Sequence, residues 1–178
     1  MQFHGDHKEK VSLTIASALR KKTIADPVVW INIVKKIALA LCHFHNAGFL
    51  HNDLKANNVV LDKERGDDKF NPVVIDFGKS LPMTGLKGPK KLSHQEQVKY
   101  TEKYPHIAPE IVEESMGQSV KSDIFSFWKL CERVFAIAKL GHLPEVLARA
   151  LGLDPDKRPT LEAVIESLQN VQRSSNAN

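Results

Sequence analysis

Apolar residues recur at helical spacing over two long stretches, and these predict the two main helices of the chain. In the first stretch, Asp26 is a good N-cap and Pro27 suits the first helical position, so a helix is expected to start there. Its apolar stripe continues to Phe44, and Gly48 is typical of the residue just beyond a helix C-terminus. We therefore predict a buried helix that delivers the segment beginning at Phe49.

The second long stretch follows Ser122 and Asp123, which are expected to cap a helix with a wide apolar face extending to Phe135. Two shorter amphipathic patterns predict further helices, over residues 144–151 and 160–171. The chain is therefore expected to be mainly helical.

Two short β-branched runs, residues 59–61 and 73–75, are separated by polar turn material and predict an antiparallel hairpin. A turn centred near Asp67 would pair residue 61 with residue 73. The same register would put Asn58 opposite Asp76, so the hairpin would bring together two side chains that are far apart in sequence.

These two side chains, with their neighbours, suggest chemistry on a phosphate. Amide and carboxylate oxygens such as those of Asn58 and Asp76 suit Mg²⁺, which usually takes one or two carboxylates plus substrate phosphates. Asp53 would sit on the loop leading into the same corner, where it could accept a hydroxyl proton. Lys55 could neutralise phosphate charge there. The pattern therefore predicts a phosphoryl-transfer site.

Composition narrows the class of protein. The chain has 178 residues, 42% of them hydrophobic and 26% charged, which is ordinary for one soluble domain. We expect no membrane span, because no apolar run approaches about 20 residues, and no secretory signal at residues 1–10. The net charge of +4 comes without a dense basic stripe interleaved with aromatics, so no nucleic-acid partner is expected. Cys42 and Cys131 lie in apolar patterns and are expected to be free thiols, which favours a cytoplasmic or nuclear location.

Three segments in the right order resemble the motifs of eukaryotic protein kinases. Residues 51–58, with the sequence HNDLKANN, resemble the catalytic loop HRDLxxxN. Residues 76–78 match the metal-binding DFG triplet, and residues 108–110 match the APE triplet that closes the activation segment. Any one triplet is weak, but three at plausible spacings are a strong resemblance.

The resemblance implies a role for each matching residue. Asp53 would be the catalytic base and Lys55 the phosphate contact typical of serine/threonine kinases, with ATP and Mg²⁺ as cofactors. His51 would be structural. The remaining implied positions are the magnesium ligands Asn58 and Asp76 and the nucleotide-cleft residues Val60, Ile75 and Gly78.

The resemblance also implies a fold: α+β, mainly α, a kinase C-terminal lobe with a small hairpin at the catalytic loop. It would cover residues 1–173, with a hinge at 1–5, a short helix over 12–19 after the hinge, and a polar tail at 174–178. The sequence contains no GxGxxG loop, no strand lysine and no helix glutamate before the hinge, so the N-terminal lobe is expected to be absent. Within the lobe, Asp123 would hold the catalytic-loop backbone, and Arg158 would form a buried ion pair with Glu110.

Several positions depart from the kinase pattern. Asn52 stands where most kinases have the arginine that receives an activation-loop phosphate. Lys103 stands where a threonine normally contacts the catalytic loop. A helix that the family usually inserts after Lys139 is missing. The expected activation segment, residues 79–107, offers three candidate phosphoacceptors, Thr84, Ser93 and Thr101.

Three functions are compatible with this pattern. The first is a Mg-dependent protein serine/threonine kinase domain that needs an N-terminal lobe and is inactive as this chain alone. The second is a non-catalytic, pseudokinase-like binding module, whose apolar cleft face at Val60, Ile75 and Phe77 would bind a protein partner or a second copy. A small-molecule kinase is the third, and it is disfavoured because such enzymes generally lack the pair predicted for Glu110 and Arg158.

Overall fold

Six α-helices and two small sheets make up the part of the chain that this computed structural model describes, residues 13–63, 70–84, 86, 92–113, 116–139 and 154–175. The predicted α+β, mainly helical class is therefore confirmed for these residues. In chain order the elements are β1 (Leu13–Thr14), α1 (Ile15–Lys21), α2 (Pro27–Asn46), β2 (Phe49–Leu50), β3 (Val59–Lys63), β4 (Phe70–Val74), β5 (Leu81–Pro82), α3 (His94–Lys103), α4 (Pro109–Val112), α5 (Val120–Ala138) and α6 (Leu161–Ser175).

Helix α2 lies at the centre of the fold. The Asp26 carboxylate accepts the Val28 amide at 2.8 Å, and Pro27 occupies the first turn, so the predicted start is confirmed. Gly48 follows the helix with φ of 85°, the left-handed conformation that favours glycine. The buried face of α2 packs against α5, α6 and β4, and it consists of Trp30, Ile31, Ile33, Val34, Ile37, Ala38 and Leu41.

By length and composition alone, α2 could cross a membrane, and it is the one such helix among the described residues. The sequence-based expectation of no membrane span stays a prediction. The criterion is weak, because core helices of globular proteins also meet it. In this fold the apolar face of α2 is buried against other helices.

Helix α5 begins earlier than predicted. Its N-cap is Ser119, whose hydroxyl accepts the Ser122 amide at 3.3 Å, while the Ser122 hydroxyl accepts the Ser119 amide at 3.0 Å. This reciprocal pair caps the helix. Asp123 therefore lies inside the first turn, and its carboxylate is free to act on another part of the chain.

Other predicted boundaries moved by a few residues. Residues 13 and 14 form the short strand β1, so α1 begins at Ile15 and continues to Lys21. Helix α6 starts at Leu161 and extends to Ser175, into the segment expected to be a polar tail. The predicted hinge at residues 1–5, the helix over 144–151 and the shortened connection after Lys139 lie outside the described residues. Cys42 and Cys131 are free thiols, as expected.

The predicted hairpin is present, but its register differs by one residue. Strand β3 lies between β1 and β4 in a three-stranded antiparallel sheet, with Leu61 opposite Pro72 and Val60 opposite Val73. Asn58 therefore lies opposite Ile75, whose amide donates to the Asn58 carbonyl at 2.9 Å. Pro72 is tolerated because β4 is an edge strand, where a missing N–H costs no ladder bond on the open side.

Candidate active site

The loop formed by residues 51–58 is held in place by Asp123 of α5. The two carboxylate oxygens of Asp123 accept the backbone amides of His51 at 2.7 Å and Asn52 at 2.8 Å. His45 of α2 lies 3.0 Å from the same carboxylate. The predicted role of Asp123 is confirmed, and it ties the loop to both central helices.

His51 is structural, as expected. Its Nδ1 accepts the Asp53 amide at 3.2 Å, and its Nε2 lies 3.2 Å from the Ile75 carbonyl oxygen. The imidazole also packs against the rings of Phe44 and Phe77, with centroid distances of 6.3 and 5.4 Å. One histidine thus links the loop, the end of β4 and α2.

Asp53 is a buried carboxylate, 3% exposed, inside a ring of donors. Its Oδ2 accepts the ammonium of Lys55 at 2.8 Å and the amide nitrogen of Asn58 at 3.2 Å. Its Oδ1 lies 3.1 Å from the Lys79 ammonium and 2.9 Å from His106 Nε2. Both carboxylate oxygens therefore accept hydrogen bonds, and the ammonium groups of Lys55 and Lys79 compensate the negative charge.

These contacts determine the ionisation of the pair. Burial by itself raises the pKa of the Asp53 carboxyl, but the hydrogen bonds from Lys55, His106 and Lys79 outweigh it and hold that pKa well below its usual value. Burial lowers the pKa of the His106 imidazole, and the neighbouring Asp53 carboxylate offsets this only in part. Asp53 is thus an anion at neutral pH, facing a predominantly neutral histidine.

Lys79 and His106 are the site residues that sequence reasoning missed. Lys79 directly follows the residue 76–78 triplet, so its position in the chain was a usable signal. His106 precedes the 108–110 triplet by two residues, and Ser126 of α5 fixes its backbone by donating to its carbonyl at 2.7 Å. Only the path of the chain from α3 to α4 brings His106 onto Asp53.

Asn58 and Asp76 have side-chain chemistry that fits a magnesium ion. Asn58 donates through its amide nitrogen to the carbonyl and the carboxylate of Asp53, so neither of these bonds uses its side-chain oxygen. Asp76 is exposed and has φ of 66°, an uncommon conformation for a residue other than glycine. A Cβ on Gly78 would lie 3.4 Å from the Asp76 carboxylate, an ordinary van der Waals contact. An amide oxygen just before β3 and a carboxylate just after β4 are hard donors of the kind that suit Mg²⁺.

The residues expected to form an exposed apolar cleft face, Val60, Ile75 and Phe77, differ in their exposure. Val60 is 4% exposed, because it lies in the middle strand of the sheet between Thr14 and Val73. Ile75 is half-buried, whereas Phe77 is 49% exposed. The expectation that Val60 lines an open apolar surface was wrong, and its physical cause is the pairing of β3 with β1.

A buried ion pair anchors the segment that follows His106. The Nη1 and Nη2 atoms of Arg158 donate to the two carboxylate oxygens of Glu110, each at 2.7 Å. Arg158 also donates to the Lys121 carbonyl at 3.0 Å and lies 5.0 Å from the centroid of the Phe125 ring. The predicted pair is confirmed, and its bidentate geometry is the strong form of this contact.

The candidate phosphoacceptors lie in different surroundings. Ser93 is the N-cap of α3, where its amide and hydroxyl donate to Glu96 at 2.8 and 2.7 Å. Thr101 donates to the Gln97 carbonyl within that helix at 3.0 Å, and Thr84 is exposed. Residues 85 and 87–91 of the expected activation segment lie outside the described residues.

The model of the protein kinase domain matches residues 6–135, nearly three-quarters of the chain. This match agrees with the loop, the triplets and the ion pair described above. The chain belongs to the protein kinase family.

Several curated kinases are similar to it. A mitogen-activated protein kinase kinase kinase, mkh1 of Cytospora mali, is 27% identical over 178 residues, covering 83% of this chain and 9% of that protein. Cysteine-rich receptor-like protein kinase 29 of Arabidopsis thaliana is 34% identical over 111 residues, 60% of this chain and 15% of its own length. Protein kinase YpkA of Yersinia pseudotuberculosis is 34% identical over 116 residues, 63% of this chain and 14% of that protein. The chain thus spans no more than about a seventh of each of these relatives.

Proposed function

We propose that this chain is the phosphoryl-transfer part of a protein serine/threonine kinase, which moves the γ-phosphate of ATP to a protein hydroxyl with the help of Mg²⁺. The observation that carries the proposal is the buried Asp53 carboxylate, 2.8 Å from the Lys55 ammonium, on a loop whose amides are held by Asp123. Positioning and charge neutralisation are most of what a kinase contributes to this reaction.

Each residue would have a defined task. Asp53 is ionised at neutral pH and would accept the proton of the substrate hydroxyl. Lys55, beside it, would meet the charge of the transferred phosphate, and its presence supports serine/threonine over tyrosine acceptors. Asn58 and Asp76 would hold Mg²⁺, which supplies neutralisation of the phosphate oxygens when bound.

Catalysis would also require groups that these 178 residues do not contain. A glycine-rich loop and a strand lysine cradle the nucleotide phosphates in kinases, and neither occurs in this sequence. We propose that they come from an N-terminal lobe supplied in addition to this segment, and that the segment alone has little or no activity.

The test uses the complete endogenous protein, isolated through a C-terminal affinity tag. We expect Asp53→Asn to abolish transfer of labelled γ-phosphate to serine peptides while leaving nucleotide binding nearly intact. Asp76→Asn is expected to weaken Mg-dependent nucleotide binding as well. Equal turnover by the Asp53→Asn protein would refute the assigned base.

A second candidate is a non-catalytic binding module of the same fold. It is favoured by the contacts of Asp53 Oδ1 with both Lys79 and His106, because a substrate hydroxyl would have to compete with two donors already at this oxygen. Under this alternative the complete wild-type protein would bind a partner and show no transfer above that of the Asp53→Asn variant. Under either function we place the protein in the cytoplasm or nucleus, in keeping with its two free thiols.

A further inference from the structure

An open groove of about 450 Å³ runs between residues 55–57 of the 51–58 loop, residues 103–106 and the middle of α5. Lys55 and His106 line its inner end, and both of them contact the Asp53 carboxylate. Anything bound in this groove therefore lies next to the proposed base. Its outer lining residues are Lys103, Tyr104, Lys129, Glu132 and Arg133.

The charge of this basic groove is unbalanced. Lys55 is paired with Asp53, and Lys129 lies 3.3 Å from the Glu132 carboxylate. Lys103 and Arg133 are both exposed, and among the described residues neither has a carboxylate within ion-pair distance. Two cations at the groove are thus available to an anionic ligand.

Aromatic rings hold two of the lysines in position. The Lys103 ammonium lies 5.2 Å from the centroid of Tyr104, and the Lys129 ammonium lies 5.1 Å from that of Trp128. Contacts of this kind restrict a flexible side chain before a ligand arrives, which lowers the entropy cost of binding. The groove is therefore partly preorganised for a ligand, unlike a set of isolated, solvated lysines.

We propose that the basic groove binds the acidic flank of the protein substrate, a segment in which glutamate or aspartate lies close to the phosphoacceptor hydroxyl. This inference rests on the proposed function and names its substrate class. Charge complementarity is the argument: Lys103 and Arg133 would pair with side-chain carboxylates while the hydroxyl reaches Asp53. Lys103 stands where kinases usually have threonine, so this preference would be particular to the chain.

A nucleic-acid ligand fits the groove less well. Single-stranded nucleic acids are bound through bases stacked on aromatic side chains. Tyr104 is the aromatic ring lining the described groove, and two ammonium groups already lie against it, those of Lys103 at 5.2 Å and Lys79 at 5.6 Å. A peptide with carboxylates needs no stacking surface and is the better occupant.

The experiment measures binding of a fluorescent serine peptide rich in glutamate to the 178-residue chain by anisotropy, against the same peptide with glutamine at those positions. At an ionic strength of about 0.01 M, where screening acts only beyond roughly 30 Å, we expect the acidic peptide to bind about tenfold more tightly. At about 0.15 M the preference should shrink. Equal binding of the two peptides would overturn the proposal.

Charge-reversal variants locate the binding surface. Lys103→Glu and Arg133→Glu are each expected to weaken binding of the acidic peptide about threefold or more, while Arg173→Glu, an equal charge change on α6, should alter it by less than about twofold. Lys103→Gln and Arg133→Gln repeat the test with milder changes. An equal loss of peptide affinity in Arg173→Glu would contradict the assignment of the groove as the binding site. A single-stranded oligonucleotide that binds more tightly than the peptide, and loses affinity in the same variants, would contradict the acidic peptide as its ligand.

Turnover separates this inference from the function on which it rests. The complete protein could phosphorylate neutral peptides and bind the acidic and the neutral peptide with equal affinity. In that case the groove assignment fails while the kinase function stands. If the acidic peptide binds at the groove and no peptide is phosphorylated, the kinase function fails. The groove is then a binding site for acidic segments without chemistry, and its role as a substrate site falls too.

Discussion

Asp53 shows how a buried charge is made tolerable at the scale of single residues. An unpaired carboxylate at this depth would cost several kcal/mol, but Lys55, Lys79, His106 and Asn58 all donate to it. These donors favour the ionised form, so the pKa of the Asp53 carboxyl is lower in the folded chain than in the unfolded chain. The carboxylate therefore contributes to stability above its unfolded pKa, and that contribution is lost as the pH falls.

We predict that Asp53→Asn lowers the free energy of unfolding at neutral pH, because two lysines then face each other without an anion. The difference in the free energy of unfolding between Asp53→Asn and wild type should shrink as the pH falls from about 5 towards 3. In this range the Asp53 carboxyl of the unfolded chain takes up its proton. Urea unfolding of both proteins across this pH range checks the prediction. Asp156→Asn, a change at an exposed aspartate, is the control, and a pH-independent difference for Asp53→Asn would contradict the account.

The ion pair of Arg158 and Glu110 gives a second prediction at this scale. Arg158→Met should destabilise the chain by about 3–5 kcal/mol, because it leaves the buried Glu110 carboxylate without its partner. Changing both residues, with Glu110→Leu added, should recover part of the loss, since an apolar pair needs no compensating charge. Urea unfolding measures both. Arg133→Met on the exposed face of α5 should stay within about 0.5 kcal/mol of wild type.

Motif residues could be predicted from the sequence, whereas their neighbours in space could not. Asp53, Lys55 and Asn58 lie within six residues of one another, so local chain geometry suffices to bring them together. His106 is 53 positions away, and its approach depends on how α3, α4 and α5 pack. Residues brought together only by tertiary packing carry no spacing signal in a single sequence.

At the scale of elements, the hairpin illustrates the same limit. The two strands were predictable from their β-branched residues, but the register depends on the turn, and a shift of one residue exchanges the faces of a strand. The observed pairing continues outward to Lys63 and Phe70. Pro72 lies inside β4, and the edge position of that strand, which the sequence does not reveal, makes the proline acceptable.

Helix α5 and the 51–58 loop form a unit through Asp123, and this leads to a third prediction. Asp123→Ala removes the acceptor of the His51 and Asn52 amides, and hydrogen bonds to a charged group are worth about 1.5–3 kcal/mol each. We expect hydrogen exchange at these two amides to accelerate about tenfold or more. Exchange at the Leu168 amide in α6 should be unaffected. In Asp123→Asn, which retains one acceptor oxygen, the exchange rates of the His51 and Asn52 amides should lie between those of wild type and Asp123→Ala. Unchanged exchange at His51 would contradict the role of Asp123.

On the scale of the whole molecule, one surface exposes several large apolar side chains that lie next to one another. Phe49 and Phe77 are 42% and 49% exposed, and both rings pack on Phe44, at 5.7 and 5.3 Å between centroids. Leu81, 40% exposed, follows in strand β5 beside β2. Neighbouring exposed apolar side chains of this size usually mark a contact with another polypeptide. We call this set, Phe44, Phe49, Phe77 and Leu81, the aromatic surface.

We therefore predict that the 178-residue chain self-associates through the aromatic surface when no other polypeptide covers it. In sedimentation velocity its weight-average mass should rise with concentration, and Phe49→Ser and Phe77→Ser should each reduce that rise. Val98→Ser is the matched control, because Val98 is equally exposed, at 47%, but lies on α3 outside this surface. Since burial of apolar area drives such association, raising the salt concentration should not weaken it, in contrast to binding in the basic groove. A chain that stays monomeric at high concentration, or one in which Val98→Ser has the same effect as Phe77→Ser, would show that the aromatic surface is not an interface.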